Sequence, residues 1–100
     1  MFTQISADLY TCRGQNSRYV LAHGNVSSDT VLPWTAWRLD CIEHGVSFRI
    51  AEFVTDTRAR DCSLRPSQEN FTGSTMHEIL KRATEMVKHY EYADKVSDYL

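Results

Sequence analysis

The chain has 100 residues, 42% of them hydrophobic and 24% charged, with 11 Lys and Arg against 13 Asp and Glu for a formal charge of −2. That balance describes one ordinary globular domain and excludes a disordered tract, and a domain this small has room for only one substantial cleft. Residues 1–73 hold seven Arg against eight acids and residues 74–100 hold four Lys and Arg against five, so each part sums to −1 and no basic tail marks a nucleic-acid partner.

The cations are unevenly distributed in kind. Eight are Arg and only three are Lys, and Lys81, Lys88 and Lys95 all lie near the C-terminus. The first 73 residues use Arg alone, the cation suited to planar ion pairs and to interfaces. Cys12, Cys41 and Cys62 are an odd number without Cys-x-x-Cys spacing, and they read as reduced thiols. The N-terminus has no cationic start or long apolar run, and no stretch approaches the roughly 20 apolar residues of a membrane span. A cytoplasmic protein that does not cross a membrane is expected.

From Thr3 to Thr11, Ile5, Ala7 and Leu9 alternate with polar residues, a period of two that predicts one half-buried strand. Arg13-Gly14-Gln15-Asn16-Ser17 is turn chemistry, and Tyr19-Val20-Leu21-Ala22 resumes the apolar run, completing a first hairpin. Residues 25–33 read as a loop ending at Pro33. A second hairpin spans Trp37 to Val54 about His44-Gly45, whose two-residue turn requires positive φ. That turn sets Asp40 opposite Arg49 on the polar face and places Trp37, Leu39, Cys41, Phe48 and Ile50 on a buried face. The alternation slips after Ile50, which predicts a bulge or sharp twist near Ala51 and Glu52.

Residues 56–74 show no sustained period and read as an irregular segment, part of which extends the sheet edge. Thr75-Met76-His77-Glu78 is a capping box that opens a helix over residues 75–99. Met76, Ile79, Leu80, Ala83, Val87 and Tyr90 form its apolar stripe, and its length predicts an end or kink between Tyr90 and Asp94. The expected fold is a single α+β domain over residues 1–100, a small antiparallel sheet of about four strands in two hairpins packed by a C-terminal amphipathic helix.

No pattern spells out a reaction, a metal or a cofactor. Asp40-Cys41-Ile42-Glu43-His44 is the nearest string to a nucleophile with a base, but strand alternation points Asp40 away from Cys41 and Glu43, and Cys41 reads as a small core residue. Glu85 and His89 make half of a metal site on one helix face, and a stable site needs three or four ligands. The four glycines are scattered singly and form no phosphate loop. Arg58, Arg60 and Arg65, with Arg13 and Arg18 nearby in space, could meet nucleic acid, but Asp56 and Asp61 dilute them and no aromatics interleave.

In overall character the chain resembles small phage and mobile-element accessory proteins such as the anti-CRISPRs. The likeness lies in length, a solitary α+β domain, no signal sequence and no catalytic motif; that group shares no diagnostic string, so no residue role is carried over. The resemblance implies a protein that binds a CRISPR surveillance complex and obstructs its access to target DNA. The expectation is therefore a non-catalytic binding protein that docks on a protein or ribonucleoprotein complex and inhibits or modulates it. Arg58, Arg60 and Arg65 are the expected contact residues, because three guanidiniums in a stretch with little apolar patterning contribute little to a core. Arg82, Lys88 and Tyr92 on the exposed helix face are the second choice. A direct nucleic-acid-binding accessory protein and a small enzyme with an unrecognised site are the alternatives.

Overall fold

Period-two alternation in the first half of the chain and a helical period near its end resolve into a sheet and a helix in the computed structural model, which describes residues 1–29 and 32–97, with side chains up to Tyr92. Six strands form one sheet in chain order: β1 (Thr3–Ser6), β2 (Leu9–Arg13), β3 (Arg18–Val26), β4 (Trp34–Glu43), β5 (Val46–Val54) and β6 (Gln68–Asn70). The first five make an antiparallel meander, and β6 lies parallel to β5 at the far edge. Helix α1 (Met76–Ser97) packs on one face. The class is α+β as the sequence implies, with six strands in place of about four.

The two additional strands have identifiable causes. Residues 3–11 are two strands rather than one, because the chain reverses at Ala7-Asp8 and pairs Gln4 with Tyr10 and Ser6 with Leu9. The alternation of Ile5, Ala7 and Leu9 hides that reversal, and Ile5 falls at the register shift, 58% exposed. β6 has only three residues, too few to carry a period.

The β4–β5 hairpin turns where Gly45 demands it, with His44 at φ 51° and Gly45 at φ 77°, the positive pair of a two-residue turn. Asp40 faces Arg49 and Cys41 faces Phe48, but Leu39 pairs with Ala51, so Ile50 is the extra residue of a bulge. Ile50 and Ala51 consequently both pack into the helix-side core, and Glu52 turns to the other face. Phe48, expected in the core, stays 37% exposed near the hairpin end of the sheet, where its ring meets Tyr90 of the helix.

Thr75 caps α1 as a capping box: its Oγ1 accepts from the Glu78 N–H at 3.3 Å, and Glu78 Oε1 accepts from the Thr75 N–H at 3.2 Å. The stripe then buries Ile79, Ala83 and Val87 against Tyr19, Leu21, Trp37, Leu39 and Phe53, with Met76, Leu80 and Tyr90 half-buried at its margins. The helix does not end near Tyr90; it runs through Ser97, 22 residues or about 33 Å, inside a molecule whose longest extent is 43 Å. Residues 98 and 99 of the expected helix lie outside the described residues.

The irregular segment has a packing role that its lack of period concealed. A turn of 3-10 helix (Thr57–Ala59) and the chain after it cross the sheet face opposite α1, where Ala59 and Leu64 cover Val26, Trp34, Ala36 and Val54. This plug gives the sheet a second, smaller core at one end only.

Candidate binding surface

Strand alternation puts the larger core residues of β2–β5 beneath α1 and their neighbours on the opposite, open face. At the plugged end that face carries a closed polar chain. Gln68 Nε2 donates to Ser27 O and Glu52 Oε1, Arg49 donates Nη1 to Glu52 Oε2 at 2.6 Å and Nε to Asp40, and Gln68 Oε1 accepts from the Arg65 N–H. Glu52, only 8% exposed, is thus a carboxylate with its partners in place, as burial of a charge requires.

Beyond the plug the face is bare. Leu9, Thr11, Val20, Ala22 and Ile42 are half-exposed there, an aliphatic floor unlike the polar side that a solvated antiparallel sheet usually presents. Arg13 and Arg18 stand directly opposite each other where β2 and β3 meet, both exposed. With Gly14–Ser17 and Ile42 they line an open depression of about 370 Å³. Arg38 lies further along, its guanidinium laid over Gly24, where a β-carbon would approach Nη2 to 2.9 Å. Its Nε is buried without a hydrogen-bond partner.

The eight arginines divide sharply. Arg49, Arg58, Arg65 and Arg82 each have a carboxylate within salt-bridge distance, and among the described residues Arg13, Arg18, Arg38 and Arg60 have none. Three of those four occupy the open face. A like-charged pair directly opposite across a β-ladder is destabilising, so Arg13 and Arg18 are not there for the fold's sake.

The hairpin that carries them is held from below by the helix. Glu91 Oε1 accepts the Gln15 N–H at 2.9 Å and occupies the space above Gly14, where any β-carbon would collide with it. Ser17 donates to Glu43 Oε1 at 2.6 Å from the same turn. Beside them Tyr19 is fully buried, its hydroxyl near Ser17 and Glu91 but in good hydrogen-bond geometry with neither; burial, and then the charge of Glu91, raise its pKa above the ordinary tyrosine value. Burial likewise raises the Cys12 thiol.

The residues singled out in the sequence fall in several places. Arg58 is a clamp: Nε and Nη2 grip the two oxygens of Asp56 and Nη2 also donates to Pro33 O at 2.8 Å. Those bonds hold Asp56 well below the usual carboxylate range. Arg58 therefore has a structural duty that the sequence did not reveal. Arg65 lies 3.6 Å from the exposed Asp29, and Arg60 projects into solvent. Arg13 and Arg18 are not near this group, for β3 separates its Val26 end from Arg18 by about 27 Å. Arg82 forks onto Glu69 at 2.9 and 3.0 Å and ties α1 to β6, whereas Lys88 and the 68% exposed Tyr92, one turn apart, point to solvent.

Cys41 sits in the helix-side core with its thiol toward Glu43, His44 is exposed at the hairpin tip, and Asp40 is on the other face. Glu85 and His89 both line a groove of about 560 Å³ with Ile50, Arg82, Met86 and Tyr90, and among the described residues no third His, Cys, Asp or Glu joins them. No described helix is long and apolar enough to cross a membrane. Comparison with protein-family models, with curated proteins and with solved structures finds no match for this chain.

Proposed function

We propose that the protein is a non-catalytic binding module that docks on a macromolecular partner through the open sheet face and modulates it. The observation that carries this reading is the Arg13–Arg18 pair, two exposed arginines paired across the β-ladder with no carboxylate within salt-bridge distance among the described residues, beside a half-exposed aliphatic floor. Like charges paired there cost the isolated fold, and an anionic group between them would turn that cost into attraction. Arg38 extends the surface, and the exposed Arg60 and Arg65 of the plug continue it toward the other end of β3. The likeness to anti-CRISPRs supplies one concrete partner, a CRISPR surveillance complex whose access to target DNA is obstructed.

The test is a pair of variants used as baits in the native host. Ala22→Tyr obstructs the middle of the open face at a half-exposed position, and Lys88→Glu with Tyr92→Ala alters the exposed helix face. The reading expects the first to lose the co-purifying partner and the second to retain it. The reverse pattern moves the docking surface to the helix.

A further inference from the structure

We infer that the occupant of the open face is an acidic polypeptide segment with an aliphatic middle. This deepens the docking role proposed above and rests on it. Three features fix the chemistry. Cationic groups stand at both ends of the open stretch of β3: Arg13 and Arg18 at the hairpin, and Arg38 over Gly24, six residues or about 20 Å further on. Among the described residues none of them has a carboxylate within salt-bridge distance. Glu52, the cross-strand neighbour of Arg38, is already bound by Arg49 and Gln68, and Arg38 Nε is buried with nothing to donate to. A carboxylate arriving from outside would meet the Nη groups, since the buried Nε lies out of its reach.

The floor between the two ends is small and aliphatic. Leu9, Val20 and Ala22 form it, bordered by Thr11 and by Asp40, whose carboxylate Arg49 holds, and Arg38 fills the space over Gly24. Aliphatic side chains of a polypeptide fit such a floor, each burying apolar area at about 25 cal/mol per Å². Nucleic-acid bases require rings to stack on, and among the described residues the aromatic on this side of the sheet, Trp34, is 2% exposed beneath the plug. The chain's charge of −2 also opposes a long polyanion, whereas a short acidic segment needs only a local match.

The experiment uses the full chain, isotope-labelled, titrated with a peptide of about 16 residues that has Glu and Asp at both ends and Leu, Val and Ala between, longer as strand or helix than the distance from Arg18 to Gly24. Single-stranded and duplex DNA of similar length run in parallel. The inference expects saturable amide shifts confined to Arg13, Arg18, Val20, Ala22 and Arg38, and an affinity reduced about tenfold or more by Arg13→Glu with Arg18→Glu, or by Gln in place of the peptide's acids. Arg13→Gln with Arg18→Gln keeps the test informative if the double reversal disturbs the fold. Tighter, salt-sensitive binding of either DNA overturns the inference in favour of a nucleic-acid partner, and shifts mapping to the groove of Ile50, Met86 and Tyr90 overturn it together with the docking role. If neither peptide nor DNA binds while Ala22→Tyr still abolishes partner capture, the acidic occupant is wrong and the docking face stands.

Discussion

The two faces of one sheet are built to different rules. Beneath α1, Tyr19, Leu21, Leu39 and Phe53 are completely buried against Ile79, Ala83 and Val87, and the helix is fixed at its ends by the Thr75–Glu78 capping box and by Glu91 in the β2–β3 turn. On the opposite face the plug covers Val26, Trp34, Ala36 and Val54, and beside the Asp40–Arg49–Glu52 network lies a half-exposed aliphatic patch flanked by arginines without a carboxylate among the described residues. Where the fold needs an arginine it supplies a carboxylate, as with Arg58 and Asp56 or Arg82 and Glu69. The open face breaks that rule three times. A cation's pairing state, more than its exposure, thus separates structural from functional arginines in this molecule.

The contrast can be broken most forcefully in the core. Phe53→Ala, at a fully buried site beneath the helix, should cost about 3–5 kcal/mol in urea denaturation, while Val20→Ala on the open face should change stability by about 0.5 kcal/mol or less. Similar losses at both sites would mean that the open face carries the fold as much as the helix side does. Next comes the plug. Ala59 is wholly buried over the smaller core, so Ala59→Leu should overpack it by about 1–3 kcal/mol and shift Trp34 emission; a silent substitution would show the plug to be loosely laid.

Gly14→Ala should cost about 1 kcal/mol, because the new methyl displaces Glu91 from the Gln15 N–H. The loss should shrink when Glu91 is already Ala, though not vanish because the buried Tyr19 ring also lies 2.8 Å from the new methyl, and fully additive losses in that double-mutant cycle would refute the coupling. The smallest of these effects is seen in acid. Asp56 is held below the usual carboxylate range by Arg58, so its contribution is complete above the unfolded-state value near 4 and is lost as pH falls toward the depressed folded value. Arg58→Ala should therefore raise the pH at which acid unfolding begins and leave stability near pH 7 reduced by a constant amount; an unchanged acid transition would show that the clamp does not matter.

Much of the helix side was legible in the sequence, because its signals are local or periodic. The capping box, the stripe from Met76 to Tyr90 and the His44-Gly45 turn each state their own geometry, and that turn set Asp40 opposite Arg49. The slip after Ile50 announced a bulge, and the bulge fell one residue before the Ala51–Glu52 step. The open face was less legible, for its defining features are non-local. Ala59 and Leu64 reach the sheet from a stretch without period, and Arg58 is claimed by Asp56 and by a carbonyl 25 residues away. Arg13 and Arg18 flank the turn residues 14–17, so their pairing across the hairpin could have been read; the missing signal was that no acid among the described residues comes to meet them.

The measurement that tests this account most directly is the stability of Arg13→Glu alone, set beside its binding. The substitution turns a facing like-charged pair into an opposite-charged one across β2 and β3. The account predicts a folded domain about 0.2–1 kcal/mol more stable than the parent at low salt, with its partner lost. A variant that is less stable than the parent, or that is more stable and binds the partner undiminished, would contradict it.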